Sequence, residues 1–240
     1  MSNSVTRATH ILRLLAESGK PLSLSQMTAE LGIPKSTAHN ILGSLVQAGF
    51  VDVSETTTYS IGLAAFEIGS AHLRGRSTIS VVAPELARVT RTLDITSHWA
   101  VLDDADVVYL CKEDPPGRAI QLASSLGARL PAPTTAVGKS CLAWLSQDDL
   151  ATILSAGSHD DVKGISAEMA RVRAAGYSTD DAITAAGIRC VASPVFDMTG
   201  PCGAIGVSYL RDADLDADAV AAEVMHAAAR ASSILGGRTP

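Results

Sequence analysis

The feature that most constrains this chain is a pair of short helical segments separated by a tight break at Gly32 and Pro34. Ser23-Leu24-Ser25-Gln26 forms a capping box, with a hydroxyl at the N-cap and an amide three residues on that can return the hydrogen bond. The helix it starts runs through Met27, Ala29 and Leu31 and stops at Gly32. Pro34 suits the first position of the next helix, where its missing N–H would be unpaired anyway. An earlier helix carries Val5, Ala8, Ile11, Leu12 and Leu15 at helical spacing and ends at Gly19. A short helix, a glycine turn and a second helix with a polar face match a helix-turn-helix.

The second of these helices has an apolar side, Ala38, Ile41, Leu42 and Leu45. The opposite side holds Ser36, His39, Asn40 and Gly43, with Lys35 and Thr37 at the N-terminal end. Small hydroxyls, one amide and one imidazole are groups that reach base edges and phosphates in a major groove. Any amphipathic helix has a solvated face, so the preceding turn motif is what favours DNA binding. Phe50–Val53 and Tyr59–Ile61 are β-prone runs around a hydroxyl-rich turn, which reads as a β-hairpin wing. Its tip has no Lys or Arg, so contacts there would be neutral hydrogen bonds. The candidate DNA-binding residues are Ser25, Lys35, Ser36, Thr37, His39, Asn40 and Thr57. Leu63, Phe66, Ile68 and Leu73 then suggest a linker helix.

A net charge of −6 argues at first against nucleic acid. The charge is uneven, however. Residues 1–76 hold six basic and five acidic groups, and the other 164 residues hold 13 basic and 20 acidic groups. The acidity therefore sits outside the helix-turn-helix. The 240-residue length suggests two domains. Expected boundaries are 1–62 for the winged helix, 63–76 for the linker helix and 77–240 for the remainder. No long apolar run or signal-like N-terminus is present, so a cytoplasmic, non-membrane protein is expected. The four cysteines, Cys111, Cys141, Cys190 and Cys202, have irregular spacing, which argues against a zinc site or disulfide framework.

The remainder alternates a helix (Ile79–Leu93), β-like runs (Ser97–Leu102, Val107–Lys112, Ala119–Ser124), helices (Thr135–Leu145, Gln147–Leu154, Ala167–Ala175), strands (Ile188–Phe196, Ala204–Tyr209) and a last Ala-rich helix (Leu215–Leu235). Hairpin turns between neighbouring strands argue for an antiparallel α+β sandwich. Gly138-Lys139-Ser140 resembles the end of a phosphate loop, but Pro133 stands where its first glycine is needed. His98, His159 and Ser97 lie among many Asp residues, yet no nucleophile-elbow motif supports catalysis. No cofactor and no metal is expected.

Ile33 to Leu42, followed by Gly49-Phe50-Val51, resembles the winged-helix signature of the IclR family of bacterial transcriptional regulators. The resemblance continues in Leu130-Pro131, Thr135–Lys139, Gly176-Tyr177 with Asp180-Asp181, and Gly187–Asp197, which are similar to the family's GAF-like effector-binding domain. It implies a DNA-binding regulator, most often a repressor of a catabolic operon, released by a small carboxylate or aromatic effector. Its partners would be double-stranded operator DNA, the effector and a second copy of the chain, as a homodimer assembling to a tetramer. Activation of the same operon is the alternative. An enzyme or metabolite-binding module using the helix-turn-helix only for assembly is the competing class.

By the same resemblance Ala119, Leu122, Leu130, Ala136, Val137, Asp180, Ile188, Cys190, Gly206 and Ser208 take pocket-lining positions. Thr135 opens a helix whose first amides suit an oxyanion. Trp99 is a candidate lining residue, with a core position as the other possibility. The chain departs from the family at Asn40, usually Arg; at the wing, which lacks a Gly and a basic residue; at Pro133, often His; and at Ala182-Ile183-Thr184, which replaces an acidic run. Fewer ionisable groups in the pocket predict a less charged, more apolar effector than the smallest keto acids.

Overall fold

A computed structural model describes residues 4–74, 77–117, 125–156 and 162–237. The chain divides into two compact units, residues 1–76 and 77–240.

The first unit is a winged helix-turn-helix followed by a helix. Its elements are α1 (Ser4–Ser18), β1 (Leu22–Ser23), α2 (Leu24–Leu31), α3 (Lys35–Gln47), β2 (Val51–Val53), β3 (Thr58–Ile61) and α4 (Leu63–Arg74). Ser23 caps α2 with the reciprocal Gln26 bonds expected from the sequence, and Gly32 ends the helix in the left-handed region. Pro34 is the N-cap of α3 and not its first helical residue, and its carbonyl accepts from the Ala38 amide at 3.0 Å. Ile11, Leu15, Met27, Leu42, Val51 and Tyr59 form the core beneath these helices. The wing is antiparallel, with Val53 opposite Tyr59. β1 adds a third strand by pairing Leu22 with Tyr59, a contact no local pattern announced.

The second unit is an α+β sandwich of the GAF-like type. Its elements are α5 (Ser77–Leu93), β4 (Thr96–Asp103), β5 (Asp106–Glu113), β6 (Arg129–Pro131), α6 (Ala136–Leu142), α7 (Gln147–Ala156), α8 (Val162–Ala175), β7 (Ser178–Asp181), β8 (Ile188–Asp197), β9 (Gly200–Leu210) and α9 (Ala217–Ile234). Six antiparallel strands lie in the order β6-β5-β4-β9-β8-β7. One face packs on α5 and α9 through Val82, Leu86, Trp99, Ile205 and Val224. The other packs on α6, α7 and α8 through Ala100, Val107, Leu142, Leu154 and Met169. Helices cover both faces, so the central strands read as nearly continuous apolar runs. The expected β-like run Ala119–Ser124 lies outside the described residues.

Candidate functional site

In the first unit, α3 turns Ala38 and Leu42 into the core and leaves Lys35, Ser36, His39, Asn40 and Gly43 exposed, with Thr37 half-buried. Ser44, not anticipated, extends the same polar face one turn further, its hydroxyl held on the Asn40 carbonyl at 3.2 Å. Ser25 is exposed near the start of α2. Thr57 is exposed at the wing tip with φ of 58°, where the Ser54 hydroxyl reaches Thr56 and Thr58 at 2.9 and 2.7 Å. The wing tip is thus a small ordered hydroxyl cluster carrying no positive charge.

In the second unit a cavity opens between the sheet and the first turn of α6. Leu130, Thr135, Ala136 and Val137 line one side, and Asp180, Ile188, Cys190 and Ser208 another. His98, Tyr109, Thr184 and Ala185 complete it and were not anticipated as lining groups. Ala119 and Leu122 lie outside the described residues. The cavity is small, about 30 Å³, room for a water or two, so an organic ligand enters only if the walls part.

Two expected lining residues are corrected. Trp99 is fully buried on the opposite face, in the core under α5 and α9. Strand alternation decides this: His98 points to the cavity, so its neighbour points away. Gly206 does not line the cavity but underlies it. A Cβ there would lie 2.6 Å from His98 Nε2 and 2.8 Å from a Val137 methyl, so the glycine makes room for both.

The polar groups of the cavity are mostly engaged already. Thr135 is the N-cap of α6, and its hydroxyl accepts from the Gly138 amide at 3.0 Å. Gly138 admits no side chain, because a Cβ would overlap the backbone of Ala132. The Asp180 carboxylate, 2% exposed, accepts from the amides of Ile183 at 2.8 Å and Thr184 at 3.3 Å. It thereby folds residues 182–187 into a strap, and Thr184 Oγ1 fastens the strap to the Thr134 carbonyl at 3.1 Å. Cys190 Sγ lies 3.2 Å from Ser208 Oγ, and burial pushes its thiol up to about 11. That protonated thiol is a packing group and not a redox nucleophile. Burial likewise raises Tyr109 and, with Lys112 nearby, pulls His98 down to about 3, so both are neutral at physiological pH. Arg189, on the other side of β8, pairs with Asp181 at 3.3 Å.

α6 is pinned in place from below. Ser140 Oγ donates to the Ala192 carbonyl at 2.9 Å and meets Ser178 Oγ at 2.8 Å. Lys139, 4% exposed, turns away from the cavity to Glu168 at 2.8 Å and the Thr179 carbonyl at 3.2 Å. Among the described residues no group of three or more His, Cys, Asp or Glu could hold a metal. No described helix is long and apolar enough to cross a membrane.

Residues 4–54 match the IclR helix-turn-helix domain, and residues 71–234 match the bacterial transcriptional regulator IclR C-terminal domain. The chain belongs to the IclR family of bacterial transcriptional regulators. It is 31% identical to the transcriptional repressor IclR of Escherichia coli over 216 residues, 85% of this chain and 79% of that one. It is 30% identical to the acetate operon repressor of Salmonella typhimurium over 222 residues, 84% and 81% of the two chains. The fold is shared with an IclR homologue of Microbacterium hydrocarbonoxydans solved with 4-hydroxybenzoate, at TM-score 0.81 and 19% identity, covering 97% of this chain and 99% of that one. This IclR-family protein is thus a DNA-binding transcriptional regulator whose second unit has the family's effector-domain fold.

Proposed function

We propose that this regulator is a repressor of a catabolic operon that releases its operator when a small organic molecule occupies the cavity under α6. The observation that carries the reading is the pairing, in one chain, of an exposed polar recognition face on α3 with a separate unit that encloses a lined cavity. Relatives named as repressors and the 4-hydroxybenzoate bound by a structural neighbour support repression and a carboxylate or aromatic effector. Lys35 would meet a phosphate. Ser36, Thr37, His39 and Asn40 would face base edges, and Ser25 and Thr57 would position the unit on the backbone.

The working form is a homodimer that assembles further to a tetramer and acts on DNA in the cytoplasm. Leu63, Phe66 and Ile68 on α4 and Val5 on α1 are each at least 61% exposed, an apolar surface suited to a second copy. Effector control requires the ligand to bind the released form more tightly than the DNA-bound form. The test is a mobility-shift titration on the DNA flanking the protein's own gene, with candidate metabolites of the adjacent operon added. Retardation that a metabolite reverses is the expected result. No retardation of any fragment at low salt would sink the reading.

A further inference from the structure

His98 is a polar group of the cavity with a nitrogen that no described residue bonds. It is 2% exposed and fully buried against Tyr109, whose ring meets it edge-on at 5.1 Å. Among the described residues no group bonds its Nδ1. The ring lies across Gly206, a position that only a glycine leaves open. Burial without a carboxylate partner keeps the imidazole neutral, with one N–H and one bare nitrogen. Tyr109 also brings its hydroxyl to the cavity wall, and the remaining polar lining groups are committed. Asp180 holds the strap, Thr135 caps α6, Thr184 bonds the Thr134 carbonyl, and Ser208 faces Cys190. No Lys or Arg lines the cavity among the described residues, and Lys139 is turned to Glu168.

We propose that His98 is an effector contact that selects a hydroxyl group, so that the effector is a small alcohol or phenol carrying at most one negative charge. This rests on the cavity being the effector site. A hydroxyl both donates and accepts, so it satisfies a neutral imidazole in either tautomer. A carboxylate or carbonyl only accepts and can use only the N–H. A C–H at the same point leaves a buried nitrogen unpaired, which is the mismatch that polar sites reject most strongly. Asp180 is the one carboxylate lining the cavity among the described residues, and with no described lining cation to offset it, it disfavours a dianion in the same space.

The test uses the full-length chain and matched pairs differing by one hydroxyl: 4-hydroxybenzoate with benzoate, 3-hydroxybenzoate with benzoate, and 4-hydroxybutyrate with butyrate. Calorimetric affinities are expected to favour the hydroxylated member of at least one pair by about 10-fold or more. His98→Phe, which keeps the ring packing, should erase that ratio while leaving the deoxy affinity within about threefold. His98→Asn, with a donor and an acceptor, should restore part of it, and His98→Leu serves if the Phe variant does not fold. Equal affinities within every pair, a ratio that survives in His98→Phe, or no binding of any hydroxylated probe at 10 mM would each overturn the proposal. The mobility-shift assay separates the two levels. A hydroxyl preference without operator release defeats the repressor reading and leaves His98 standing. Operator release by a deoxy probe as readily as by its partner does the reverse.

Discussion

Replacing Asp180 with Asn isolates what holds the strap over the cavity. The carboxylate accepts two backbone N–H bonds, 2.8 Å from Ile183 and 3.3 Å from Thr184. An asparagine keeps one acceptor oxygen and presents an NH₂ to the other amide, which then faces a donor. A hydrogen bond to a charged group contributes about 1.5–3 kcal/mol, and the longer of these two should contribute less. The expected loss is therefore about 2 kcal/mol of local stability, or roughly 30-fold in the opening equilibrium of residues 182–187. Native-state hydrogen exchange reads this directly. The Ile183 and Thr184 amides should exchange roughly 30-fold faster, while ladder amides in β9 such as Val207 stay protected. Because the closed cavity is too small for an organic ligand, effector association and dissociation should both accelerate. The charge also helps hold Tyr109 and Cys190 protonated, so both should titrate lower in the variant. Unchanged exchange at Ile183 and Thr184, or uniform acceleration across the whole unit, would refute the latch.

Other perturbations have equally definite outcomes. Gly138→Ala drives a methyl into the Ala132 backbone and should cost at least about 1–3 kcal/mol, seen as a lower urea midpoint. Thr37→Ala combined with Asn40→Ala should weaken operator binding by about 1–3 kcal/mol per lost base contact, measured as Kd at fixed salt. Unchanged affinity would remove both residues from the interface. His98 binds a proton near pH 6.5 when unfolded but only near 3 when folded, so the native state binds fewer protons between those values. Stability is complete above about pH 6.5 and is lost as pH falls toward 3. About 2 kcal/mol should go between pH 7.5 and 5, and His98→Phe should flatten that slope in a pH series of urea unfolding curves. Finally, two protomers bring at most eight basic side chains from their first sixty residues, so log K against log salt should be no steeper than about −7.

The elements most legible in the sequence are those fixed by local chemistry. The Ser23–Gln26 box, the stop at Gly32 and the apolar stripe of α3 involve residues within a few positions of one another. β7 is not legible because Ser178-Thr179-Asp180-Asp181 has no apolar residue and ends in two Asp, which strands disfavour. It is a strand because β8 pairs with it and because Ser178 bonds Ser140 and the Ala136 carbonyl. β1 and β6 are edge strands of two and three residues whose partners are distant in the chain. The face of Trp99 was undecided for a related reason. Helices cover both sides of the sheet, so Ser97–Leu102 shows no apolar–polar alternation to set its phase. Resemblance to a family names positions but not their bonding, so it could not show that Asp180 is already occupied by the strap. His98 drew attention only as a catalytic candidate, because nothing in the sequence marks a histidine whose neighbours supply no partner.

The charge distribution bears on how an effector could act on DNA affinity. The unit carrying α3 has six basic and five acidic groups, and the recognition helix itself offers one cation, Lys35. A single protomer therefore neutralises few phosphates and binds weakly on its own. In the proposed dimer, useful affinity would come from two recognition helices held at the spacing of two half-sites, where the second engages at the effective concentration set by the assembly. An effector in this design need not touch α3 or its charges. Changing the separation of the paired units removes the multivalent gain, and what remains is the weak binding of one poorly charged helix. A more basic winged helix would hold the duplex through either geometry. On the proposed dimeric reading, the low positive charge of the first unit is thus a condition for control by the second, and release would equal the difference between bivalent and monovalent engagement.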